Sequence, residues 1–383
     1  MRYKAVDFMK VLFVEVVSEM GGAQQSLYEL CAALPLLGVE VAAAVPSGAL
    51  HDALRSKGVS VYPVPAIRAK RRGLGLVATL LKLARARRTT SRIIRECKPD
   101  IVHANSVASA LATQGIPSDI PLFLHVRDLR LPTFALKAVA KRCSRIIAIS
   151  TALDAYLRDT LAQPLHAQIR IIRNGIDTTR FTPHDKAAAR KRFSLPEDAP
   201  VIGMVAHLIP WKGHDLFLSA AEKIRAKHPS AQFVIVGRDL FKEHDAWLKK
   251  LHGQLNEAGL QNAVHWVQDL TQTENILPAF DVLVHPAKHE PFGRVICEAM
   301  AMRIPVVAAH SGGIPDIITH GVNGLLVAED DANGFAERVS ALLDNPERAR
   351  TLAAVAREHI LQNFTKERVA QQLAKEYGEV FSC

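Results

Sequence analysis

Two glutamates, Glu290 and Glu298, are separated by seven residues and could together bind a molecule rich in hydroxyl groups. Glu290 follows the apolar run 281–285, which predicts a buried strand, and Glu298 falls within the first two turns of a helix predicted to begin near Arg294. Ligands of open parallel sheets bind outside the carboxyl ends of the strands, so the two carboxylates could accept hydrogen bonds from different hydroxyls of a sugar or ribose. The alternative is a pair of solvated acids, which the helix dipole favours near a helix N-terminus.

A pair of glycines and a lysine are the groups best suited to an anion. Gly21 and Gly22 follow the first predicted strand and open a helix, where unobstructed backbone N–H groups can approach a phosphate. Lys212 precedes Gly213 at the start of a predicted helix, and its ammonium could stabilise a pyrophosphate leaving group. An ordinary loop and an exposed lysine are the alternatives.

Strands and helices alternate along the sequence, which predicts parallel α/β sheets to position these groups. Buried strands are predicted over residues 10–16, 39–45, 101–103, 122–126 and 145–150, and in a second series over 201–205, 232–237, 264–267, 281–285, 304–309 and 325–327. Helices are predicted over residues 23–37, ending at Gly38, and over 186–193, 214–226 and 366–380.

The length of the chain indicates more than one domain. Its 383 residues exceed the ~250–300 at which a single core stops growing, so two domains are expected. The turn-rich segment 174–183 contains Asn-Gly and Thr-Pro, and we place the connection between the domains there.

Several moderately specific motifs lie in one order along nearly the whole chain. They are the Gly-Gly-Ala at 21–23, the Asn-Gly-Ile-Asp at 174–177 with Phe181, the Lys-Gly at 212–213, the glutamate pair, the strand and Gly-Gly turn over 304–316, and the segment 321–327. In type, order and spacing, this series resembles the retaining glycosyltransferases of family 4, which are glycosyl transferases of group 1. The resemblance implies the α/β fold called GT-B, with two Rossmann-like domains facing across a cleft.

The resemblance also implies how the chain divides. Residues 1–180 would form a Rossmann-like domain that binds the acceptor, and residues 181–365 a Rossmann-like domain that binds a nucleotide-sugar. The helix in residues 366–383 would pack back onto the first domain.

In that family the site residues have distinct roles, which we carry over to the matching positions. Glu298 would bind the ribose, Lys212 and backbone N–H groups near Gly22 and Gly293 the pyrophosphate, and Glu290 the donor sugar. His125, which ends a predicted strand, would also lie near the sugar, although such a histidine is otherwise more often a core or rim residue. The residues expected to be catalytic are His125, Glu290 and Lys212, and those expected to bind the donor are Gly21, Gly22, His207, Lys212, Arg238, Val267, Glu290, Phe292, Gly293, Arg294, Val295 and Glu298.

Some positions depart from the family pattern. His207 stands where the family has an arginine, so we expect Arg238 or a protonated His207 to meet part of the phosphate charge. Arg303 replaces a usual glycine, Asp316 a usual glutamate, and Gln268 a glycine beside the base pocket. The sequence has no Asp-x-Asp or His-Glu-x-x-His motif, so we expect a metal-free reaction with no cofactor, in which the nucleotide-sugar is a co-substrate. By family frequency we expect a UDP-sugar.

The charge of the chain suggests a membrane surface as a partner. The formal net charge is +10, and basic residues surround the apolar segment 74–81, at Arg68, Lys70, Arg71, Arg72, Lys82, Arg85, Arg87, Arg88, Arg92 and Arg95. A basic amphipathic helix is typical of proteins that bind anionic lipid, and a solvated face is the alternative. Nucleic acid is a poorer explanation, since no nucleic-acid motif accompanies the charge.

Other features bear on the compartment. No apolar stretch is long enough to span a bilayer, the first residues lack the apolar region of a signal peptide, and the five scattered cysteines suggest neither disulfides nor a zinc site. We therefore expect a cytoplasmic protein, peripheral on the inner face of the cytoplasmic membrane.

The sequence thus predicts a retaining glycosyltransferase that moves a sugar to a glycan or lipid-linked acceptor, in the synthesis of cell-surface polysaccharide, lipopolysaccharide or glycolipid. A nucleotide-sugar epimerase of the GT-B fold and a non-catalytic nucleotide-sugar-binding subunit are the alternatives. The presence of Glu290, Glu298 and Lys212 argues against the non-catalytic one.

Overall fold

A computed structural model describes residues 9–67, 74–129, 131–240, 243–268 and 272–381 of the chain. For residues 74–76 it describes the backbone and not the side chains. Arg68, Lys70, Arg71 and Arg72 of the predicted basic segment lie outside these residues. The chain forms two compact units, one made of the residues up to Gly175 and those from Lys366 onward, and the other of Ile176–Thr365.

The first unit is built on a parallel sheet. In the described residues it has seven strands in the order β3-β2-β1-β4-β5-β6-β7. Its elements are β1 Lys10–Val14, α1 Gly22–Ala33, β2 Glu40–Val45, α2 Ala49–Ser56, β3 Ser60–Pro63, α3 Leu74–Cys97, β4 Ile101–Ala104, α4 Val107–Ala112, β5 Leu122–Val126, α5 Thr133–Ala140, β6 Arg145–Ala148, α6 Thr151–Thr160 and β7 Ile169–Ile171.

Helix α1 is shorter than the sequence pattern predicted. Because Pro35 lacks an N–H group, the α-helix ends at Ala33 and continues as a 3₁₀ turn over Leu34–Leu37. Gly38 ends this turn in the left-handed conformation with φ 83°, at the predicted stop.

The second unit is also a parallel sheet with helices. Its six strands in the described residues have the order β10-β9-β8-β11-β12-β13. Its elements are α7 Lys186–Arg192, β8 Val201–Val205, α8 His214–Lys227, β9 Gln232–Val236, α9 Asp245–Glu257, β10 Val264–Val267, α10 Thr273–Ile276, β11 Val282–His285, α11 Arg294–Ala301, β12 Val306–Ala309, β13 Leu325–Val327, α12 Ala332–Asp344 and α13 Pro346–Asn363. Arg303, just after α11, has a left-handed backbone with φ 59°. Glycine adopts this conformation most easily, which explains why it suits this position in the family that the sequence resembles.

The last helix, α14 Lys366–Phe381, belongs to the first unit. Its residues Val369, Leu373 and Tyr377 are buried in the core that also contains residues of β1, β2 and α1. The division between the units lies after Gly175, earlier than the predicted boundary after residue 180, because the N–H of Ile176 donates to the carbonyl of Phe364, 2.9 Å away in the second unit.

Both sheets have a switch point, the place where the strand order reverses direction. In the first unit this point lies between β1 and β4, and in the second between β8 and β11. Loops that leave neighbouring strands in opposite directions open a crevice at their carboxyl ends, so ligands of such sheets bind there. Among the described helices, none combines the length and apolar character that a bilayer crossing requires.

Candidate active site

The switch point of the second unit brings together a lysine, a glutamate and a histidine. Lys212 ends a 3₁₀ turn after β8, and Glu290 lies in the loop after β11. Lys212 Nζ is 2.5 Å from Glu290 Oε2, and Nε2 of His285, the last residue of β11, is 3.0 Å from the same oxygen. The two loops that flank the switch point therefore meet at one carboxylate. Sequence reasoning did not select His285, because it reads as the end of an apolar run.

The charge of Glu290 is stabilised where it lies. Burial alone would raise the pKa of this carboxyl group, but the Lys212 ammonium and the hydrogen bond with His285 outweigh burial and hold the pKa well below its usual range. Burial also lowers the pKa of His285, against the opposing effect of Glu290, so its ring is neutral near pH 7. Glu290 is thus an ionised hydrogen-bond acceptor, and Lys212 is its counterion.

The Gly-Gly turn after β12 fixes the backbone of Glu290. The N–H of Gly313 donates to the carbonyl of Glu290 at 2.7 Å. Gly312 has a left-handed φ of +54°, and a Cβ there would lie 2.1 Å from the same carbonyl oxygen. The N–H of His289 donates to Ser311 Oγ at 2.6 Å. This turn therefore supports the loop that holds Glu290, a role that the sequence motif alone did not indicate.

Helix α11 carries the second glutamate. The N-cap residue of this helix, Gly293, has a left-handed backbone with φ 103°. Glu298 lies four residues after Arg294, and Arg294 Nη2 is 3.4 Å from Glu298 Oε1. Glu298 is 8% exposed. Val295 is half-buried beside them. The ring of Phe292, one of the residues expected to bind the donor, is buried against Phe364 with the centroids 5.9 Å apart.

The remaining predicted donor residues lie at the ends of β8, β9 and β10. Arg238 is exposed after β9, and Val267 ends β10 with its carbonyl accepting from the N–H of Gly237 at 2.8 Å. The expectation of a protonated His207 is wrong near neutral pH. Burial, with Lys212 and Arg238 nearby, lowers the pKa of His207 to about 4. Of the two cations expected to supplement Lys212, Arg238 remains a prediction.

The switch point of the first unit holds the predicted glycine loop. The N–H of Gly21 donates to Gln24 Oε1 at 3.2 Å, so this amide is already used within the loop, whereas Gly22 is exposed. Gln24 in turn donates to Glu15, a fully buried carboxylate at the end of β1 that sequence reasoning missed. Asn105, after β4, donates to Glu15 Oε2 at 2.7 Å. A buried network thus holds the glycine loop over the switch point.

His125 lies in the same unit, within β5. It is 1% exposed, and its Nδ1 is 3.0 Å from Nε2 of His103 in β4. Its Nε2 has no hydrogen-bond partner among the described residues. Neither His103 nor its neighbour Tyr377 was predicted as a site residue, because one lies in a predicted strand and the other in a predicted helix, and only the fold brings them together.

Helix α3 contains the described part of the predicted basic segment. Val77, Leu80 and Leu81 are 53%, 56% and 58% exposed. Lys82, Arg85 and Arg88 are exposed beside them. Arg87 does not belong to this surface, because its Nε donates to the carbonyl of Leu111 at 2.9 Å and its Nη2 to Gln114.

Comparison with known proteins agrees with the fold and with the motif series. Residues 20–180 match the family model of Glycosyltransferase Family 4, and residues 185–359 match that of Glycosyl transferases group 1. The chain is 35% identical over 245 residues to the D-inositol 3-phosphate glycosyltransferase of Stackebrandtia nassauensis, covering 62% of this chain and 54% of that protein.

A second curated relative is the GDP-mannose-dependent monoacylated alpha-(1-6)-phosphatidylinositol monomannoside mannosyltransferase of Corynebacterium glutamicum, 31% identical over 54% of this chain and 55% of that protein. The chain thus spans about half the length of these two relatives. Among solved structures, Alr3699/HepE of Anabaena in complex with UDP-glucose superposes with a TM-score of 0.82 at 24% identity, over 97% of this chain and 100% of that one.

Proposed function

The chain belongs to the group 1 glycosyl transferases, with a family 4 first unit and the GT-B fold, and on that premise we propose that it transfers a sugar from a nucleotide-sugar to an acceptor hydroxyl with retention of configuration. The observation that carries the proposal is the Lys212–Glu290 ion pair at the switch point of the second unit. A half-buried cation and a buried anion on adjoining loops suit a donor that has an anionic diphosphate next to a hydroxyl-bearing sugar.

In the proposed reaction the donor replaces contacts that the resting protein makes with itself. The diphosphate attracts the Lys212 ammonium, and a sugar hydroxyl donates to Glu290, which keeps the hydrogen bond from His285. Glu298 accepts from the ribose, and His125 faces the sugar. Arg238 supplements the positive charge.

The chemical step needs no protein nucleophile. The acceptor hydroxyl attacks the anomeric carbon on the face from which the diphosphate departs, the carbon–oxygen bond to the phosphate breaks, and the hydroxyl proton passes to the departing phosphate oxygen. The side chains then serve to position the reactants and to stabilise the charge that develops on the diphosphate. We propose that Lys212 and Arg238 meet this charge without a metal ion, so a chelator should leave turnover unchanged.

We propose a UDP-sugar as the donor. The Anabaena protein of similar fold was solved with UDP-glucose, whereas the Corynebacterium relative is named for GDP-mannose. GDP-mannose is therefore the alternative donor to test.

We propose that the acceptor is a glycan or a lipid-linked molecule at the inner face of the cytoplasmic membrane, in the synthesis of cell-surface polysaccharide or glycolipid. The exposed Val77, Leu80 and Leu81 beside Lys82, Arg85 and Arg88 support a peripheral contact with anionic lipid. The name of the Corynebacterium relative includes a monoacylated phosphatidylinositol monomannoside, which agrees with a lipid-linked class.

A donor screen tests this function. The full chain is incubated with UDP-, GDP- and ADP-sugars, and thermal unfolding and release of nucleoside diphosphate are measured, because a ligand that binds only the folded state raises its apparent stability. We expect one nucleotide class to raise the melting temperature and to be hydrolysed slowly. A change of the sugar to its epimer without release of nucleoside diphosphate would indicate the epimerase, and tight binding without turnover would indicate the non-catalytic subunit.

A further inference from the structure

Three buried side chains of the first unit form a hydrogen-bonded row that ends at His125. Tyr377 Oη is 2.5 Å from His103 Nδ1, and His103 Nε2 is 3.0 Å from His125 Nδ1. Each of the three residues is at most 1% exposed. His125 Nε2, at the end of the row, is buried, and no residue that the structure describes forms a hydrogen bond with it. The donor-sugar role proposed for His125 therefore depends on which of its ring nitrogens carries the hydrogen.

Packing fixes the rings of the row in place. The rings of His103 and His125 are stacked with their centroids 5.1 Å apart, and Phe13 stacks on His103 at 4.8 Å. Tyr377 meets His103 edge-on at 5.8 Å and Phe123 at 4.8 Å. Since β4 and β5 are neighbouring strands and α14 packs on the core above them, three elements far apart in sequence supply one row.

The groups of the row are uncharged near neutral pH. Burial, with a smaller effect of the nearby Arg127, lowers the pKa of both His103 and His125 well below the ordinary value for histidine. Burial raises the pKa of the Tyr377 phenol well above its ordinary value. Each neutral imidazole therefore has one N–H donor and one acceptor nitrogen, and the phenol retains its hydrogen.

The hydrogen bonds of the row can run in two directions, and the phenol hydrogen is bonded in only one of them. If Tyr377 donates to His103 Nδ1, then His103 Nε2 carries a hydrogen and donates to His125 Nδ1, which leaves the hydrogen of His125 on Nε2. In the reverse orientation the phenol accepts, and its hydrogen would be buried with no partner among the described residues. In the first orientation the one group of the row left unpaired in the described part of the chain is the His125 Nε2–H at its end, where a bound ligand could accept from it. The reverse orientation leaves two unpaired groups, the phenol hydrogen inside the core and the lone pair of His125 Nε2, so the first orientation is favoured.

We propose that Tyr377 and His103 are positioning residues that fix the tautomer of His125, so that His125 Nε2–H donates a hydrogen bond to an oxygen of the donor sugar. The identity of the ligand in this inference rests on the proposed function. The position of the proton on His125 does not depend on that function. It makes His125 a hydrogen-bond donor and not a base, since its only free ring atom already carries the hydrogen. It also gives the last helix a direct effect on the sugar site.

The test combines a spectroscopic and a kinetic measurement on the full chain. Tyr377→Phe keeps the ring and removes the phenol, whereas His103→Gln can present an amide N–H near the former Nε2. Val369→Ala, also in α14 and buried, is the control for lost packing. Long-range ¹H–¹⁵N correlation spectra of histidine-labelled protein report which nitrogen of His125 is protonated, and calorimetry reports the affinity for nucleoside diphosphate.

We expect the parent to show His125 protonated at Nε2, and Tyr377→Phe to shift it toward a mixture of tautomers. In Tyr377→Phe, the kcat for hydrolysis of the nucleotide-sugar should fall about tenfold. This is less than the ~10²–10³-fold loss expected when a hydrogen-bond donor to the reacting molecule is removed outright. The affinity for nucleoside diphosphate should change less than about twofold. His103→Gln should retain more activity than His103→Leu, and Val369→Ala should leave the tautomer unchanged.

Two results would overturn the inference. One is protonation of His125 at Nδ1 in the parent, and the other is a Tyr377→Phe spectrum in which the His125 tautomer is that of the parent. If the parent shows the expected tautomer but hydrolyses no nucleotide-sugar, the row stands and the proposed function fails.

Discussion

Lys212 Nζ and Glu290 Oε2 are 2.5 Å apart although the two residues are separated by 78 positions in the sequence. The pair forms because β8 and β11 are neighbours at the switch point of the second sheet, so that the loops after these strands approach each other. In the resting protein each charge compensates the other. A donor with a diphosphate would compete with Glu290 for the lysine, so we expect the pair to couple nucleotide binding to the state of Glu290, the carboxylate proposed to bind the sugar.

Removal of the Lys212 charge should affect both turnover and stability. Lys212→Ala should lower turnover by about 10²–10³-fold, as expected for one preorganised group that stabilises developing charge. It also leaves the Glu290 carboxylate buried with His285 as its one remaining partner in the described part of the chain, which should cost roughly 3 kcal/mol of unfolding free energy. Steady-state kinetics and urea unfolding measure the two effects.

Lys288→Ala is the matched control for that variant. Lys288 lies two residues before Glu290, but its ammonium is paired with Asp330 and is 39% exposed. Its removal should leave turnover within about twofold of the parent and stability within about 0.5 kcal/mol. A loss of less than about threefold in Lys212→Ala would show that another cation, with Arg238 the first candidate, carries the diphosphate charge.

The two glutamates should differ in their effect on nucleotide affinity. Glu298→Ala should weaken binding of the free nucleoside diphosphate, because the ribose loses its acceptor. Glu290→Gln should lower turnover by about 10²-fold but leave that affinity equal or stronger, because Lys212 is released from its resting partner. Titration calorimetry with the nucleoside diphosphate separates the two, and an equal loss of affinity in both variants would contradict the assignment.

The sequence predicted most strands of the two sheets because fully buried parallel strands appear as continuous apolar runs. The runs 122–126 and 201–205 match β5 and β8 residue for residue. β3 and β7, at the two edges of the first sheet, were missed because they are short and partly exposed and include polar residues such as Ser60 and Arg170. Helix α1 was predicted too long, since apolar periodicity continues through Pro35 into the 3₁₀ turn.

The site was predicted from motifs and not from contacts. The motifs selected Lys212 and Glu290 separately, but the ion pair between them depends on sheet order, which no local pattern contains. Buried polar residues such as His103 and Glu15 were missed because each follows or lies within an apolar run, and only the folded core shows their hydrogen bonds. Phe292 was predicted to bind the donor from its place in the motif, which did not indicate that its ring packs against Phe364.

Neutral buried histidines should make the protein less stable in mild acid. The pKa of His207 is about 4 when folded and 6.5 in an unperturbed ring, so the unfolded chain binds more protons between these values. The contribution of the neutral His207 ring to the free energy of unfolding is fully present above pH 6.5 and is lost as the pH falls toward 4. Glu290, with its lowered pKa, adds stability that is lost only at still lower pH.

The His207 contribution can be measured from urea unfolding at pH 7.5 and pH 5. The parent should lose stability over this interval, and His207→Gln should lose less, by up to roughly 1 kcal/mol per pH unit for a half-buried ring. The same pH dependence in the parent and in His207→Gln would show that this ring has no part in the acid response.

The α3 surface should hold the protein on anionic vesicles. Each basic side chain near such a surface contributes on the order of 1 kcal/mol, so replacing Lys82, Arg85 and Arg88 by glutamine should weaken binding by about two orders of magnitude. Arg87 is left in place because it bonds to Leu111 and Gln114. Sedimentation with phosphatidylserine-containing vesicles at low salt measures binding, and salt should release the parent.

The control for that triple variant removes the same charge elsewhere in the first unit. Arg55, Lys57 and Lys141 are exposed outside α3, and their replacement by glutamine should leave sedimentation nearly unchanged. Both triple variants should hydrolyse a soluble donor at the parent rate. If the control sediments as poorly as the α3 variant, the interaction depends on net charge alone, and if the parent never sediments, the α3 face is simply solvated.

The anomeric configuration of the first product is the most direct measure of the proposed activity. The full chain is incubated with the nucleotide-sugar that stabilises it most, and ¹H NMR spectra are recorded before mutarotation equilibrates the released or transferred sugar, with Lys212→Ala as the inactive control. We predict nucleoside diphosphate release together with a first product that has the same anomeric configuration as the donor, at a rate at least about 10²-fold lower in the control. A first product of inverted configuration, or release that is equal in the parent and in Lys212→Ala, would contradict the account.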